Sequence, residues 1–411
     1  MYILYDLIAR IAWFHLKIAA RFNAKLKLFV EGRKETFSKL VQSISENDSV
    51  IWMHVASLGE FEQGLPIIER LKKEYPTHRI LVTFFSPSGY EVKKNTSAAD
   101  IVAYLPIDTR ANVKRFLALA HPKLALFVKY EIWPNYLKEI HAQNIPTLLI
   151  SARFSAEQVY FKWYGGFMRK ALRSFSYIFL QDEKSRALLA SIQIENTRVI
   201  GDTRLDRVSE IIERNNTLTF MDAFKKDRLC VVAGSTWAED EAILLSYINT
   251  SKEKVKYVLA PHTIDSGKVL GLAGSITKKT VLFSNMDPRS VGDYDVLIID
   301  NIGMLTKVYR YADIAYVGGG FATGLHNTLE PAVFGVPVII GPNYAGFREA
   351  EELVIKKGIL PVQDKFSFSE LLTKLLDNPE LRKRTGQINA SYISMNKGAS
   401  IQILEHIRTL L

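Results

Sequence analysis

Two carboxylates in the first half of the chain stand where they could perform acid–base chemistry. Glu60 ends the segment His54-Val-Ala-Ser57-Leu-Gly59-Glu60, which follows an apolar run and precedes a helical pattern. Ser57 and Glu60 have the S-x-x-E spacing of a capping box, in which both side chains satisfy amides at the start of a helix. Alternatively, the helix dipole favours an ionised Glu60 that accepts a proton as a general base. The residues alone leave both interpretations open.

The second carboxylate is Glu131, in the segment Lys129-Tyr130-Glu131-Ile-Trp133-Pro-Asn. This segment follows a predicted buried strand, and ligands of open α/β sheets bind at the carboxyl ends of the strands. A carboxylate at that end is well placed for a site. The tryptophan and proline are equally compatible with the packed start of a helix.

Three loops in the second half could bind an anion. They are Gly234-Ser235-Thr236, Pro261-His262, and the run Gly318-Gly319-Gly320 with the following His326-Asn327-Thr328-Leu329-Glu330. Each follows a predicted strand, so backbone N–H groups and hydroxyls can face a phosphate. Glu330 could accept hydrogen bonds from ribose hydroxyls, whereas the alternative for the glycine run is a flexible loop.

Several motifs are absent from the sequence. It contains no H-E-x-x-H, C-x-x-C, G-x-S-x-G, G-x-G-x-x-G or P-loop pattern, which disfavours zinc and serine hydrolases, nicotinamide enzymes and P-loop phosphotransferases. Asp293-Tyr-Asp295 precedes a strand and is interpreted as a solvated turn. The single cysteine, Cys230, cannot form an internal disulfide and indicates a reducing compartment.

The elements that position these residues alternate between short apolar runs and amphipathic stretches. Predicted strands in the first half are Val50–Val55, Ile80–Phe85, Leu124–Val128, Thr147–Ile150, Tyr177–Leu180 and Arg198–Ile200. Those in the second half are Leu229–Ala233, Val255–Ala260, Val281–Ser284, Val296–Ile299, Ile314–Val317 and Pro337–Ile340. This alternation predicts two doubly wound α/β domains with parallel sheets. The polar stretch Asp202–Lys226 is the expected linker.

Composition and charge agree with two globular domains. The chain has 411 residues, of which 48% are hydrophobic and 23% charged, and its formal net charge is +10. Residues 1–200 carry 28 Lys and Arg against 18 Asp and Glu, whereas residues 201–411 carry 25 of each. A basic half beside a neutral half predicts two different partners, one of them anionic: nucleic acid, membrane or a phosphorylated ligand.

The amino-terminal segment of residues 1–22 is apolar and aromatic but interrupted by charges. Asp6, Arg10, Lys17 and Arg21 fall on one narrow helical stripe, and apolar side chains cover the rest. The charges disfavour a signal peptide and a transmembrane helix. The pattern suits a helix in a membrane interface beside anionic lipid, and the alternative is a terminal helix packed on its own domain.

Taken together, these segments resemble the 3-deoxy-D-manno-octulosonic acid (Kdo) transferases of lipopolysaccharide inner-core biosynthesis. The resemblance runs over nearly the whole chain. Its motifs are the segment from His54 to Glu60, Glu131-Ile-Trp-Pro-Asn, Gly201-Asp-Thr-Arg204-Leu-Asp206, Asp300-Asn-Ile-Gly303, the glycine run and His326-Asn-Thr-Leu-Glu330. The amino-terminal helix also resembles the family's membrane-docking segment.

The resemblance implies a glycosyltransferase-B fold, with two Rossmann-like doubly wound domains facing across a cleft. It implies a membrane-associated helix at residues 1–22, an acceptor-binding domain at 23–207 and a donor-binding domain at 208–411. It further implies CMP-Kdo as donor, a lipid A precursor (lipid IVA) as acceptor, and inversion without a metal or cofactor. The location implied is the cytoplasmic side of the inner membrane, peripheral or monotopic.

The resemblance also implies roles for individual residues. Glu60 is the base that deprotonates the acceptor hydroxyl, and Glu131 and Arg204 stabilise the transition state. The expected substrate-binding residues are Ser57, Gly59, Ser235, Thr236, Pro261, His262, Ile302, Gly303, Met304, Gly319, Gly320, Asn327, Thr328, Leu329 and Glu330.

The chain departs from the family pattern at four of these positions. Arg204 stands in place of a lysine, His262 of an arginine, Met304 of a glutamate and Thr328 of a proline.

An alternative assignment is a glycosyltransferase-B enzyme with a UDP-sugar donor. A non-enzymatic protein that binds nucleic acid is a further alternative, but lysines and arginines are scattered and no nucleic-acid motif is present, so we expect no specific nucleic acid.

Overall fold

The chain folds into two compact units in this computed structural model, which describes residues 1–322 and 324–411. The first unit comprises Met1–Arg207 and Lys397–Leu411, and the second comprises Val208–Asn396. The expected second domain extended to residue 411, whereas the segment Lys397–Leu411 packs with the first unit. Asp206 holds this segment, because its carboxylate accepts hydrogen bonds from the backbone N–H groups of Gly398 and Ser400.

The first unit alternates strands and helices around one parallel sheet. Its strands are β1 (Ser49–Val55), β2 (His78–Phe84), β3 (Ile101–Tyr104), β4 (Pro122–Val128), β5 (Thr147–Ala152), β6 (Tyr177–Leu180) and β7 (Thr197–Val199). Its helices are α1 (Tyr2–Ala19), α2 (Ala24–Gly32), α3 (Thr36–Ser43), α4 (Leu58–Glu74), α5 (Pro87–Lys93), α6 (Arg110–Ala120), α7 (Pro134–Ala142), α8 (Gly166–Leu172), α9 (Glu183–Ala190), α10 (Thr203–Glu213) and, near the carboxyl end, α19 (Ala399–Ile407).

The second unit has the same kind of architecture. Its strands are β8 (Cys230–Thr236), β9 (Lys256–Pro261), β10 (Thr280–Leu282), β11 (Val296–Ile298), β12 (Ile314–Val317), β13 (Val338–Ile340) and β14 (Ile359–Pro361). Its helices are α11 (Thr219–Lys225), α12 (Ala238–Ile248), α13 (Ser266–Gly274), α14 (Leu305–Val308), α15 (Leu329–Ala332), α16 (Arg348–Ile355), α17 (Lys365–Asp377) and α18 (Pro379–Asn396).

The strand orders identify where each sheet can bind a ligand. The first sheet runs β3-β2-β1-β4-β5-β6-β7 and the second β10-β11-β9-β8-β12-β13-β14, with all pairs parallel. The direction of winding reverses between β1 and β4 in the first sheet and between β8 and β12 in the second. Ligands of open α/β sheets bind at such switch points, outside the carboxyl ends of the strands.

All twelve predicted strands are present; Tyr177–Leu180 and Ile314–Val317 have the predicted ends, and the ends of the others are shifted by at most three residues. Two further strands, β3 and β14, were not predicted. The expected linker at residues 202–226 spans the boundary between the two units, and it is mostly helical because it contains α10 and α11. The unit boundary at Arg207 lies inside α10.

The side chains of β1 alternate between the two faces of the first sheet. Ile51 and Met53 point into the core beneath α4, whereas Trp52 points into the core on the opposite face of the sheet. His54 therefore shares the face of Trp52, because side chains in a strand alternate with a period of two. Both faces of β1 are buried, as expected for a central parallel strand.

Candidate active site

The first switch point holds Glu60 in the first turn of α4, directly after β1. The Ser57 hydroxyl donates a hydrogen bond to Glu60 Oε2. Among the described residues, Ser57 makes no side-chain capping bond to the helix backbone. The capping box that the S-x-x-E spacing allowed is therefore not formed. The Glu60 side chain is 15% exposed.

Lys129 brings a positive charge to Glu60 from the neighbouring strand. Its Nζ lies 3.8 Å from Glu60 Oε1. Lys129 directly follows β4 and has a φ of +60°, a left-handed conformation that is uncommon for a residue with a side chain. Ser235, at the other switch point, has a φ of +54°. Unusual backbone conformations of this kind cluster at functional sites.

Glu131 lies at the same edge of the sheet and is held by two aromatic rings. Its Oε2 accepts hydrogen bonds from His54 Nε2 at 2.9 Å and from Trp133 Nε1 at 2.9 Å. The Glu131 side chain is 13% exposed, whereas the His54 ring is fully buried. Burial, together with the nearby Glu131 carboxylate, raises the pKa of Tyr160 to about 12.

Arg204 is connected to helix α4, which carries Glu60, through its ion pair with Asp202. The Arg204 guanidinium lies 2.6 Å from Asp202 Oδ2, and the Arg204 backbone N–H donates to Asp202 Oδ1 at 2.9 Å. Gln63, one turn after Glu60 on α4, also donates to Asp202 at 3.5 Å. The structure thus links Arg204 to the helix that carries Glu60.

Three aromatic rings gather at the second switch point. His262, which follows β9, stacks on Trp237 with ring centroids 4.7 Å apart and on His326 at 4.4 Å. Trp237 Nε1 donates to His326 Nε2 at 2.9 Å, so His326 carries its proton on Nδ1 when neutral. The rings come from three separate loops, and together they form one aromatic stack in which His262 lies over the other two rings.

The glycine run approaches β8 closely beside these rings. The Gly319 backbone has a φ of +92°, and its N–H donates to the buried Asp240 carboxylate at 2.8 Å. A side chain on Gly318 would lie 2.3 Å from the Ser235 carbonyl oxygen. The glycines are therefore required by the local backbone geometry, which disfavours the flexible-loop alternative.

Thr236 lines a separate cavity of about 320 Å³ between β8, β9 and α13. Its hydroxyl donates to Glu241 at 3.0 Å, and Pro261 and Lys268 line the same cavity. Burial raises the pKa of Glu241, whereas the Thr236 hydrogen bond and Lys268 lower it. The cavity thus contains both a cation and an acidic group.

The remaining predicted substrate-binding residues lie on the loops before α14 and α15. Glu330 accepts hydrogen bonds from Thr306 at 3.0 Å and from Asn327 at 3.1 Å, so both carboxylate oxygens have partners. Ile302 is 92% exposed, and Thr328 is buried. These two hydrogen bonds thereby fix the orientation of the Glu330 carboxylate.

Some residues of this arrangement had no role assigned from the sequence. The motifs contain His54, Lys129, Asp202 and His326 but assign them no function, and Trp237 belongs to none of them. His54, Lys129 and Trp237 share one signal, because each lies at or directly after the carboxyl end of a strand. Gly59 is exposed in the first turn of α4, and Met304 directly precedes α14.

Helix α1 is attached to the first unit through Tyr5 and Asp6, whereas Arg10, Lys17 and Arg21 of its charged stripe are exposed. Asp6 accepts a hydrogen bond from the Arg110 backbone N–H at 2.6 Å, and the Tyr5 hydroxyl donates to Asp108 at 2.9 Å. The apolar side chains are consequently left exposed, and they are Ile3, Leu4, Leu7, Ile8, Ile11, Phe14 and Ile18. No helix within residues 1–322 and 324–411 has the length and apolarity to cross a membrane.

A cationic cavity of about 460 Å³ lies at the end of α1. Four basic side chains line this cavity, namely Lys17, Arg21, Lys27 and Lys34, together with Glu31, which pairs with Lys34 at 2.6 Å.

The part of the chain that the structure describes contains no cluster of three or more His, Cys, Asp or Glu side chains arranged to hold a metal ion.

Comparisons with known proteins agree in family and fold. A family model for 3-deoxy-D-manno-octulosonic-acid transferase (kdotransferase) matches residues 29–207. The 3-deoxy-D-manno-octulosonic acid transferase of Aquifex aeolicus is 30% identical over 353 residues, which cover 83% of this chain and 89% of the relative. The transferase of the same description from Haemophilus influenzae is 29% identical over 377 residues, which cover 88% and 87%.

Among solved structures, UDP-GlcNAc 2-epimerase from Neisseria meningitidis superposes with a TM-score of 0.62 at 16% identity. The match covers 88% of this chain and 100% of that one. At this identity the likeness concerns the fold alone. Together with the two seven-stranded parallel sheets, it confirms the predicted fold class of two doubly wound domains of the glycosyltransferase-B type.

Proposed function

Since this chain belongs to the family of 3-deoxy-D-manno-octulosonic acid (Kdo) transferases and is a glycosyltransferase, we propose that it moves Kdo from CMP-Kdo to a hydroxyl of a lipid A precursor. In this proposal the first unit binds the acceptor and the second unit binds the donor. The described activity of the similar transferases supports Kdo as the transferred sugar. The positions of the carboxylates in the first unit and of the anion-binding loops in the second support the assignment of acceptor and donor to the two units.

The arrangement of Ser57, Glu60 and Lys129 is the observation that carries the proposal. A sugar hydroxyl is a poor nucleophile, and a positioned base accelerates its attack by typically 10²–10⁴-fold. Glu60 accepts the hydroxyl proton, the oxygen forms a bond to the anomeric carbon of Kdo, and the bond from that carbon to the CMP phosphate breaks. CMP leaves with the electron pair. A single displacement of this kind inverts the anomeric carbon.

Glu131 and Arg204 have complementary charges for the transition state. The fixed carboxylate of Glu131 can stabilise positive charge that develops on the sugar ring, and the Arg204 guanidinium can stabilise negative charge on the departing phosphate. Such preoriented charges act where charge develops during the reaction. We propose that these side chains and the backbone amides of the second unit neutralise the leaving CMP, and that no divalent ion is required.

The second unit offers a site suited to a nucleotide. Trp237, His262 and His326 form an aromatic stack against which a base could pack, and the oriented Glu330 could accept hydrogen bonds from ribose. Beside the rings, the tight glycine run lets a ligand approach the backbone closely. These features support CMP as the nucleotide that binds, with His262 replacing the arginine of the family pattern.

We further propose that α1 binds a membrane surface on the cytoplasmic side of the inner membrane. The helix presents its apolar face outwards, because Tyr5 and Asp6 attach the opposite face to the first unit. The adjacent cationic cavity of Lys17, Arg21, Lys27 and Lys34 suits anionic lipid headgroups. A phosphorylated lipid acceptor would thus be bound where the positive charge of the chain is concentrated.

A transfer assay tests the proposal directly. The protein is incubated with CMP-Kdo and a lipid A precursor in the presence and absence of excess chelator, and the products are weighed by mass spectrometry. We expect a product heavier by one or more Kdo residues under both conditions. We also expect CMP to raise the thermal denaturation temperature more than UDP does. Stabilisation by UDP alone, with no Kdo product, would favour the UDP-sugar alternative.

A further inference from the structure

A chain of hydrogen bonds crosses the core of the first unit and ends on Glu131. Trp52 Nε1 lies 2.8 Å from Thr83 Oγ1, which in turn lies 2.9 Å from His54 Nδ1. On its other side, His54 Nε2 lies 2.9 Å from Glu131 Oε2. Trp133 Nε1 reaches the same Glu131 oxygen at 2.9 Å. The chain therefore links two tryptophans, a threonine, a histidine and a carboxylate of the proposed site.

The strand register explains how this chain forms. His54 of β1 is the register partner of Thr83 in β2 and of Phe127 in β4. Trp52 precedes His54 by two residues and shares its face of the sheet. The sequence Trp-x-His within β1 thus brings both rings to Thr83, while the end of β4 brings Glu131 to the other side of the imidazole.

The hydrogen-bond partners of His54 indicate which of its two ring nitrogens carries the proton. An indole N–H can only donate, so Thr83 Oγ1 accepts from Trp52 and has its own proton for His54 Nδ1. His54 Nε2 then carries the ring proton and donates it to the Glu131 carboxylate. In this arrangement each nitrogen of the fully buried ring has a hydrogen-bond partner of the opposite kind.

The other protonation states are less compatible with the surroundings. A proton on Nδ1 could be donated to the Thr83 carbonyl oxygen at 3.1 Å, but the lone pair of Nε2 would then face the carboxylate oxygen. A doubly protonated ring would place a charge in a pocket lined by Trp52, Phe127 and Trp133, at centroid distances of 6.5, 5.8 and 6.2 Å. Only the Nε2–H tautomer avoids both costs.

Both donors bind the same oxygen of Glu131. Its Oε1 has no hydrogen bond among the described residues, and the side chain is partly exposed. Two ring donors at one oxygen fix the rotation of the carboxylate, so the second oxygen keeps one direction before substrate binds. Groups held in their reactive geometry in advance lower the barrier, and a misplacement of about 1 Å can cost 10²-fold in rate.

We propose that His54 is a positioning residue, which as the neutral Nε2–H tautomer holds Glu131 so that Oε1 faces the reacting sugar. The proposal rests on the proposed function for its effect on rate, whereas the tautomer is a property of the protein alone. His54 touches neither substrate in this account and acts entirely through Glu131.

Nuclear magnetic resonance of the full-length protein labelled with ¹⁵N-histidine tests the tautomer without any substrate. The chain contains eight histidines, and the His54→Gln variant identifies the signal of His54. We expect the His54 signals of an imidazole protonated at Nε2 only, with an Nε2 proton that exchanges slowly. Thr83→Val, which removes the hydroxyl donor to Nδ1, should populate the second tautomer. A wild-type ring protonated at Nδ1, or at both nitrogens, would overturn the proposal.

Two variants then separate positioning from simple packing. His54→Gln keeps an N–H donor at nearly the same distance from the backbone, whereas His54→Phe keeps the ring but cannot donate. We expect His54→Phe to lower kcat by about 10²-fold with little change in KM for the donor, and His54→Gln to recover most of kcat. Equal losses in both variants, or a wild-type kcat for His54→Phe, would contradict the positioning role. If the wild-type protein transferred no Kdo, the proposed function would be refuted instead. The nuclear magnetic resonance experiment would still determine the tautomer of His54.

Discussion

At the residue scale, the two carboxylates of the first unit have different neighbours. Glu131 is fixed by two ring N–H donors on one oxygen, whereas Glu60 has one hydroxyl donor and a lysine at 3.8 Å. Pairs of acidic groups in unlike environments can take unlike catalytic roles. The fixed group suits a constant electrostatic role, and the less constrained group suits the transfer of a proton.

His326 makes the stability of the second unit depend on pH. Burial lowers its pKa, and His262 lowers it further, while Asp240 partly opposes the shift. Below the usual histidine value near 6.5, the unfolded chain therefore binds a proton that the folded chain does not. A falling pH favours the state that binds more protons, which here is the unfolded chain. We therefore expect the free energy of unfolding of the second unit to decrease as the pH falls from about 6.5 through the lowered pKa of His326.

His326→Gln tests this dependence, because an amide oxygen can still accept the hydrogen bond from Trp237 Nε1. We expect the thermal denaturation temperature of the variant to change less between about pH 5 and about pH 7 than that of the wild type. His15→Gln, on the exposed surface of α1, provides a matched control. Identical pH profiles for wild type and His326→Gln would show that His326 is not the responsible group.

The sequence predicted the positions of Glu60, Glu131 and the glycine run but not their partners. The rings of Trp237, His262 and His326 come from loops that are far apart in sequence, so no local spacing predicts their stacking. The S-x-x-E pattern, conversely, is local but ambiguous, since Ser57 can either cap the helix or donate to Glu60. Only the conformation of the side chains distinguishes these possibilities.

At the element scale, both sites depend on tight turns at strand ends. The turn after β12 requires Gly319, whose φ is +92° and whose absent side chain would lie 2.1 Å from the Gly324 carbonyl oxygen. Gly319→Ala should therefore destabilise the second unit by roughly 1–3 kcal/mol through strain and collision, and should weaken CMP binding. Chemical denaturation and the thermal shift with CMP measure the two effects.

Gly271→Ala is the matched control for this prediction. Gly271 lies inside α13, and a side chain there would meet no atom within 4 Å. Because alanine favours helix by about 1 kcal/mol over glycine, this variant should be as stable as the wild type or more stable. Equal stability of the Gly319 and Gly271 variants would contradict the account of the turn.

The elements themselves were largely predictable because their apolar runs are long or flanked by turn residues. The exceptions are β3 and β14, which lie at the edges of their sheets. β3 has four residues and β14 three, the last of them Pro361, which has no backbone N–H to donate. The expected linker at residues 202–226 contains the unit boundary and is mostly helical, because α10 is amphipathic.

At the scale of the whole molecule, the positive charge and the exposed apolar helix occur in the same unit. We predict that Ile8→Glu with Ile11→Glu on α1 releases the protein from vesicles that contain anionic lipid. Each apolar side chain is worth about 1.5–3 kcal/mol when buried, so the pair should reduce binding by at least about 100-fold. Sedimentation with vesicles at low salt measures the bound fraction.

A substitution on the other unit controls for a general effect of added negative charge. Ile355 on α16 is exposed, and Ile355→Glu should leave vesicle binding within a few-fold of wild type. Higher salt should weaken the binding of the wild type, because the cationic cavity at the end of α1 contributes through screened charges. If the α1 double variant stays bound as tightly as the wild type, the helix has only a structural role.

The return of the chain to the first unit could not be predicted from local patterns. Asp206 and Ser400 are nearly two hundred residues apart, yet the Ser400 backbone N–H donates to the Asp206 carboxylate at 2.7 Å. Ile403, Leu404 and Ile407 of α19 join the core beneath α4. A sequence read in order assigns the final helix to the preceding domain, because the contact that decides its place is long-range.

The rate of Kdo transfer by Glu60→Gln tests the central claim most directly. Glutamine preserves the size of the side chain and can still contact Ser57, but it cannot accept the acceptor proton. The account predicts a loss of at least about 10²-fold in kcat, with unchanged CMP binding and denaturation temperature, while Glu69→Gln farther along α4 retains wild-type activity. A Glu60→Gln enzyme that transfers Kdo within a few-fold of the wild-type rate would contradict the assignment of Glu60 as the base.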